Sequence, residues 1–157
     1  MGLFGAKTNT SKEKFKELPN DDRMIKAYEI AQRSIVVGVG AMTKGIGESL
    51  SVKARFEENG KIEHAWVTVN SIMEECFGGV IANDLQYCTK QKCGDVVVVK
   101  HSDLTDWMCV LKGNGKILGN FTLRASWPTM KESDKTLLRS RLMKMPHDDE
   151  LGISIEQ

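Results

Sequence analysis

The chain has 157 residues, a length that fits one domain with a substantial hydrophobic core. Lys plus Arg total 22 against 21 for Asp plus Glu, so no global charge draws the protein to nucleic acid or to an anionic membrane. No apolar run approaches the roughly 20 residues that span a bilayer, and the N-terminus lacks the hydrophobic region of a secretory signal. We therefore expect a cytoplasmic protein that recognises its partner through a local surface.

Residues 1–18 carry several lysines and few large apolar side chains, so burial cannot offset the entropy lost on ordering, and we expect a mobile segment. From residue 19 to residue 146 the pattern predicts a single domain. Pro19 and Asn20, followed by two aspartates, are typical of a helix start. Apolar residues at helical spacing then form one stripe: Met24, Ala27, Tyr28, Ala31 and Ile35.

Four glycines fall between residues 36 and 48. A phosphate-binding loop would place Lys and Ser or Thr after the glycine interval, but Ile46 follows Gly45 in this chain. Because glycine chiefly provides unusual backbone dihedrals here, we predict a flexible connector over residues 38–47 and leave open whether it orders on binding.

From Ser49 the apolar period changes to two, which predicts a half-buried strand over residues 49–57. Asn59-Gly60 has the composition of a tight hairpin turn, and the return strand places His64 and Trp66 on one face. A short strand is predicted over residues 79–82, and the apolar run 96–99 predicts a central strand covered on both faces.

The region after residue 100 predicts a turn over 101–106 and then a hairpin, with strands over 108–111 and 117–125. After Pro128 the pattern becomes helical and ends at Pro146. Its apolar stripe consists of Leu137, Leu138, Leu142 and Met145. Residues 147–157 begin with His147, Asp148, Asp149 and Glu150, and we expect an acidic flexible tail.

The four cysteines are Cys76, Cys88, Cys93 and Cys109. They contain no CxxC pair, and we expect reduced thiols in a cytoplasmic protein. Cys88 and Cys93, with His64 or His101, are weak candidates for a zinc site because zinc ligands usually come in closer pairs. We therefore expect neither a metal nor a cofactor.

Asp106 and Arg124 lie on opposite sides of the turn at Asn114 and can oppose each other across the hairpin. A structural ion pair is favoured over a functional pair, and a strand histidine such as His64 is more often structural than a general base. The chain has no nucleophile-elbow or zinc-protease motif. We expect no catalytic residues; the alternative is a small hydrolase or nucleotide-processing enzyme that uses Asp106, His64 and Arg124 in a cleft.

Three tryptophans and one arginine form a second candidate site: Trp66, Trp107, Trp127 and Arg124. Such an aromatic and basic patch can stack the bases of single-stranded nucleic acid. The near-zero net charge argues against it. An RNA- or translation-associated binding protein is therefore kept as a further alternative.

The order of the motifs resembles the YegJ-like family of small bacterial domains of unknown function over residues 21–126. The matching residues are Met24, Ala27, Ala31, His64-Ala65-Trp66-Val67, Gly79-Val80-Ile81-Ala82-Asn83, Gly94-Asp95, Asp106-Trp107-Met108 and Gly119-Asn120-Phe121-Thr122-Leu123-Arg124. Leu85 departs from the family pattern, which tends to have proline there. The family-motif residues that we expect to be structural are His64, Trp66, Asn83, Gly94, Asp95, Asp106, Trp107, Gly119, Phe121 and Arg124.

The resemblance implies an α+β fold: a strongly bent antiparallel sheet of about five to six strands with an N-terminal and a C-terminal helix packed on it. It implies no established activity. Some small families of this kind resemble cytosolic immunity proteins, so the leading hypothesis is a non-enzymatic cytoplasmic module that binds and neutralises a cognate bacterial toxin. The expected partner is that toxin or another protein, not a membrane and not nucleic acid. The expected binding surfaces are the connector, residues 83–92 and the terminal helix, and the oligomeric state stays open.

Overall fold

A computed structural model describes residues 22–155, so the predicted mobile segment over residues 1–18 lies outside the described residues. The helices are α1 (Asp22–Thr43), α2 (Phe121–Ala125), α3 (Glu132–Arg139) and α4 (His147–Glu150). The strands are β1 (Gly47–Glu58), β2 (Lys61–Ile72), β3 (Cys76–Ile81), β4 (Val96–Lys100), β5 (Leu104–Leu111) and β6 (Ile117–Gly119). They form one antiparallel sheet in the order β4-β3-β2-β1-β5-β6. The predicted α+β class and strand number are confirmed.

Helix α1 packs its apolar stripe against β5 and β1. Ala27, Ala31 and Ile35 of the predicted stripe are buried, as is Trp107 of β5. The Trp107 indole donates its Nε1 hydrogen bond to Ser34 Oγ at 3.0 Å, which satisfies the polar edge of a ring that is otherwise in the core. The predicted N-terminal helix is therefore confirmed together with the face that it buries.

The predicted flexible connector over residues 38–47 is wrong, because α1 continues to Thr43. Gly38 lies inside the helix, where a Cβ atom would come within 2.8 Å of Cε3 of Trp107. The glycine at this position thus permits close helix-to-sheet packing. Only the short turn at Gly45, with φ of 79°, separates α1 from β1.

The β1–β2 hairpin agrees with the sequence prediction. Asn59 and Gly60 adopt positive φ angles of 53° and 77°, as a tight turn between right-twisted strands requires. The register pairs Lys53 with Trp66 and Arg55 with His64, so these four side chains lie on one face of the hairpin.

Strand β4 is not the central, doubly covered strand that the apolar run predicted. It lies at the edge of the sheet and pairs only with β3 among the described strands. Val97 and Val99 are buried, whereas Val96 and Val98 are exposed. A run of four valines fits this position because β-branched residues favour extended backbone whether or not both faces are covered.

The second hairpin is shorter than predicted. Strand β5 begins at Leu104, within the residues 101–106 expected to form a turn, and β6 ends at Gly119. Gly119 and Asn120 have φ angles of 80° and 62°, and these left-handed residues redirect the chain into helix α2. The strand predicted over residues 117–125 is therefore half strand and half helix.

The C-terminal region packs differently from its prediction. Helix α3 ends at Arg139 and buries none of its residues, and Leu137 of the predicted stripe is 69% exposed. Leu142 and Met145 are buried outside the helix. Residues 147–155, expected as a solvated tail, form α4 and bury four side chains: Asp148, Leu151, Ile153 and Ile155. No helix within residues 22–155 is long and apolar enough to cross a bilayer.

Candidate functional site

Asp106 lies at the centre of a buried polar cluster between β5 and α2. Its carboxylate accepts hydrogen bonds from the amides of Phe121 at 2.9 Å and Thr122 at 3.0 Å, and from Trp107 N at 2.8 Å. The Thr122 hydroxyl donates a fourth at 2.5 Å. Asp106 therefore satisfies the free amides at the start of α2, a task that a residue at the helix N-cap more often performs.

Burial raises the pKa of the Asp106 carboxyl, while Lys53 and the hydrogen bonds from Thr122 and Phe121 act in the opposite direction. The Asp106 side chain has no exposed surface. Three of its four hydrogen bonds come from Phe121 and Thr122 at the start of α2, so the geometry gives Asp106 the role of holding α2 on the sheet.

Arg124 is also fully buried, and its guanidinium forms hydrogen bonds with other groups of the protein. Nη1 lies 3.1 and 3.2 Å from the two carboxylate oxygens of Asp148, while Nε donates to the Gly119 carbonyl at 2.6 Å and Nη2 to the Ile117 carbonyl at 3.2 Å. Burial lowers the pKa of Arg124, and the charge of Asp148 opposes that shift. Arg124 thereby joins β6, α2 and α4.

The predicted ion pair between Asp106 and Arg124 is wrong, since neither hydrogen-bonds to the other in the described structure. Arg124 follows Asn120 by one helical turn and points to the C-terminal segment, where Asp148 is its partner. No sequence pattern pointed to Asp148, because a carboxylate among neighbouring acidic residues looks like part of a solvated end.

A cleft of about 580 Å³ opens beside this cluster. Its lining comes from α1, the β1–β2 hairpin, β5 and α2 with its flanking residues: Met24, Tyr28, Lys53, His64, Trp66, Met108, Asn120, Thr122, Leu123 and Ser126. Lys53 Nζ donates to Thr122 Oγ1 at 3.0 Å and lies 5.0 Å from the centre of the Trp66 ring. The sequence pointed to His64 and Trp66 but missed Lys53, whose position became visible only through strand register.

His64 lies in the cleft as a neutral imidazole. Burial lowers its pKa to about 4, and the nearby charges of Lys53 and Arg55 act in the same direction. Nδ1 lies 3.4 Å from Thr105 Oγ1, and Nε2 is buried without a hydrogen-bond partner in the described residues. Of the three residues in the enzyme alternative, only His64 lines the cleft, because Asp106 and Arg124 are enclosed behind it.

The aromatic and basic patch considered for nucleic acid does not form on the surface. Trp107, Trp127 and Arg124 are buried in the core, while Trp66 alone of the three tryptophans lines the cleft. A stacking platform requires exposed ring faces. The structure therefore separates the residues that this hypothesis joined.

The motif residues Asn83, Gly94 and Asp95 close the loop that joins β3 to β4. Asn83 Oδ1 accepts the Trp66 amide at 2.8 Å, and the Gly94 amide donates to the Ile81 carbonyl at 2.8 Å. Asp95 Oδ2 accepts the Lys92 amide at 3.0 Å. These contacts tie the loop to β2 and β3 and position the start of β4.

Two glutamates that the sequence did not single out fasten the same loop. Glu58 accepts the amides of Thr89 and Lys90 at 2.9 and 2.8 Å, and Glu63 accepts the amide of Cys88 at 2.6 Å. Charge-assisted bonds of this kind order a loop that has no regular structure of its own. The predicted binding loop over residues 83–92 is thus held by side chains from the β1–β2 hairpin.

The two edges of the sheet differ. At the β6 edge, the Ile117 amide donates to the Arg141 carbonyl at 2.8 Å and the Met143 amide donates to the Ile117 carbonyl at 2.9 Å, so the C-terminal segment covers that edge. At the β4 edge a groove of about 480 Å³ runs beside the strand, lined by Lys90, Gln91, Asp95, Val96, Val97 and Val98. No described strand lies on this side of β4.

Within residues 22–155, no group of three or more His, Cys, Asp or Glu side chains is arranged to hold a metal ion. Cys88 is buried, whereas Cys93 is exposed.

Comparison with known proteins gives one family. A family model described as "Uncharacterized protein conserved in bacteria (DUF2314)" matches residues 21–142. The "Uncharacterized protein YegJ" of Escherichia coli (strain K12) is 29% identical over 121 residues, which cover 77% of this chain and 78% of that protein. No solved structure matches at a comparable significance.

Proposed function

The chain belongs to the DUF2314 family of uncharacterized bacterial proteins, and we propose that it is a non-enzymatic protein-binding module that receives an extended segment of a partner protein along β4. The predicted resemblance to the YegJ-like family is confirmed. Because the family description names no activity, the proposal is argued from the surface of this chain.

The proposal rests on the edge of β4 that no described strand covers. The Ile81 amide donates to the Asp95 carbonyl, and the His101 amide donates to the Glu75 carbonyl. The backbone amides and carbonyls of the odd-numbered residues in β4 therefore point to β3. Backbone groups alternate in direction along a strand. The amides and carbonyls of Val96 and Val98 therefore point away from the sheet, where an added strand can pair with them.

The side chains of this edge define the partner's chemistry. Val96 is 77% exposed and Val98 is 40% exposed, and both lie on the same face. An added segment would cover these valines with apolar or β-branched residues at every second position, while its backbone lies in the groove beside Lys90 and Gln91. Natural edges are often protected by charge or proline, and the stretch Val96–Val99 has neither.

The buried cluster supports a binding function over a catalytic one. Asp106 and Arg124 make their hydrogen bonds to backbone groups, to Thr122 and to Asp148. A general acid or base must reach a substrate proton directly or through one water. Their use within the core is consistent with two residues that stabilise the fold.

The narrower proposal, made from the sequence, is an immunity protein that neutralises a bacterial toxin. Its partner should arrest growth when it is expressed alone, and co-expression of this chain should restore growth. Val98→Pro should abolish the rescue if the toxin binds at β4. Growth arrest that the wild-type chain fails to relieve would contradict the immunity function while leaving protein binding to be judged separately.

The test of strand addition uses a photo-reactive benzophenone side chain at position 96 in bacterial cells. Position 36 on α1 is the matched control, because Val36 is also apolar and is 67% exposed. We expect one protein to cross-link at position 96 and not at position 36. Val98→Pro removes an outward amide while leaving the β3 pairing intact, and it should prevent that cross-link.

Circular dichroism of Val98→Pro establishes that the variant is folded, and Val36→Lys is the corresponding surface control. Equal cross-linking at positions 96 and 36, or a cross-link that survives Val98→Pro, would contradict strand addition. Cross-linking at position 96 to a second copy of the chain alone would mean that the edge serves self-association.

A further inference from the structure

We infer that the cleft between α1, β1, β2 and α2 binds a small carboxylic acid, whose carboxylate lies at Lys53 and whose apolar body lies against Met24, Tyr28 and Leu123. The cleft has a volume of about 580 Å³. Sites for small organic ligands commonly have this size, an apolar lining and a few convergent polar groups.

Three polar groups converge on the cleft with hydrogen-bonding capacity left over. His64 Nε2 is buried and has no partner in residues 22–155. The Asn120 carboxamide makes no hydrogen bond within the same residues, and Asp106 rather than Asn120 caps α2. Lys53 has three ammonium hydrogens, of which Thr122 accepts one. Native proteins leave few buried polar atoms such as His64 Nε2 without a partner, and a bound ligand is one way to supply it.

The backbone at Asn120 fixes the position of its side chain. Asn120 has φ of 62°, a left-handed conformation that residues other than glycine adopt uncommonly. Its amide donates to the Trp107 carbonyl at 2.7 Å, which fixes the residue against β5. The turn at Asn120 thus holds its side chain at the cleft, between β5 and the start of α2.

The charge of the cleft selects the ligand class. Lys53 is the one charged residue that lines the cleft in the described part of the chain, and the buried Asp106 behind Thr122 interacts with it electrostatically without reaching the cleft surface. A single ammonium group favours a singly charged ligand, whereas a phosphate dianion usually requires several donors.

The hydrogen-bonding pattern of His64 adds one requirement. Thr105 Oγ1 donates towards the Lys53 carbonyl at 3.4 Å, so it is placed to accept from His64 Nδ1. That tautomer leaves Nε2 as a buried acceptor on a ring that lines the cleft. A carboxylic acid that also carries a hydroxyl or amide donor would therefore use both Lys53 and His64.

The test is a titration followed by amide chemical shifts, with 3-phenylpropionate as the probe. Its neutral amide tests the need for the charge, and inorganic phosphate tests an anion that lacks an apolar body. We expect 3-phenylpropionate to shift the amides of residues 120–123 and those around Lys53, with saturation reached by about 10 mM if Kd is about 1 mM. The neutral amide should bind at least about tenfold more weakly.

The matched variants are Lys53→Met and Lys61→Met. Both lysines lie over an aromatic ring, with Lys61 Nζ 4.8 Å from the Tyr87 ring centre, but Lys61 is not in the cleft. Lys53→Met should weaken binding about tenfold or more, and Lys61→Met should leave it unchanged. Asn120→Asp, which tolerates the left-handed backbone and adds a repelling charge, should also weaken binding if Lys53→Met unfolds the protein.

Equal affinity for the acid and its amide would overturn the inference. So would shifts confined to another face, or no shift in the cleft at the highest concentration. Full retention of binding in both Lys53→Met and Asn120→Asp would place the ligand elsewhere.

Discussion

Asp106 shows how one side chain replaces a conventional helix cap. Helix α2 begins after Asn120, whose side chain makes no capping bond, and the orphan amides of Phe121 and Thr122 point to Asp106 on β5. The carboxylate thus joins two elements that are adjacent in space and separated along the chain. A residue placed this way contributes to stability through its hydrogen bonds rather than through its charge alone.

Asp106→Asn should lower the free energy of unfolding by about 2–4 kcal/mol, because the carboxamide nitrogen would face amide donors and leave buried groups unsatisfied. Urea denaturation measures the change, and the exposed Asp149→Asn is the control. An unfolding midpoint equal to that of the wild type would contradict the structural role of Asp106.

His64 predicts an acid-sensitive contribution to stability. Its pKa is about 4 in the folded protein and about 6.5 when unperturbed, so the unfolded chain binds the proton first as the pH falls. The contribution is therefore present above pH 6.5 and is lost progressively as the pH falls to 4. At about 1.4 kcal/mol per pKa unit, a shift from 6.5 to about 4 corresponds to a loss of about 3 kcal/mol.

His64→Gln should flatten the dependence of the unfolding free energy on pH between 6.5 and 4, relative to the wild type. Urea titrations at four pH values in that interval measure both slopes, and the common carboxylates cancel in the comparison. Parallel slopes for the two proteins would show that His64 keeps an ordinary pKa in the folded state.

At the scale of elements, a glycine in α1 permits the close approach of this helix to the sheet. Gly38 and Gly40 are two residues apart in one helix but have different surroundings: a Cβ at position 38 meets the Trp107 ring at 2.8 Å, and a Cβ at position 40 meets nothing within 4 Å. Gly38 therefore permits close packing against Trp107, whereas Gly40 contributes no such contact and lowers the stability of the helix.

Gly40→Ala should therefore raise the free energy of unfolding by about 0.5–1 kcal/mol through helix propensity. Gly38→Ala should lower it by about 1–3 kcal/mol, since the buried Trp107 ring has little room to move. Thermal or chemical unfolding of the pair measures both signs. A gain in stability at position 38 would mean that the helix can shift away from the sheet.

At the scale of the whole molecule, the C-terminal segment completes the core. Arg124 links it to β6 and α2 through Asp148, the backbone of residues 141–143 covers the β6 edge, and Leu151, Ile153 and Ile155 are buried. No strand within residues 22–155 pairs with the other side of β4. The proposed strand addition would therefore take place on the β4 side of the protein.

Ile155→Ala should lower the free energy of unfolding by about 2–4 kcal/mol, because Ile155 is only 2% exposed. Ser154→Ala, which alters the exposed neighbour, should change it by less than about 0.5 kcal/mol. Chemical denaturation compares the two variants. If both variants changed the free energy of unfolding equally and negligibly, the solvated tail predicted from the sequence would be correct.

Local patterns were sufficient for much of the fold. The alternation after Ser49, the turn at Asn59-Gly60 and the stripe of Ala27, Ala31 and Ile35 each depend on neighbours in the chain, and each was predicted correctly. Local patterns failed where a residue's role depends on a distant contact. Gly38 was assigned to a connector because the residues around it in the sequence give no indication that it packs against Trp107.

By itself, the sequence determined the first hairpin through its periodicity and turn residues, and the family, with the α+β class that it implies, through the order of its motifs. Only the tertiary structure decided that Asp106 caps α2, that Arg124 pairs with Asp148, and that β4 lies at an edge. Register and long-range packing fix these relations, and they bring together residues that no local pattern connects. The cleft around Lys53 and His64 has the same origin, since its lining is contributed by separate elements.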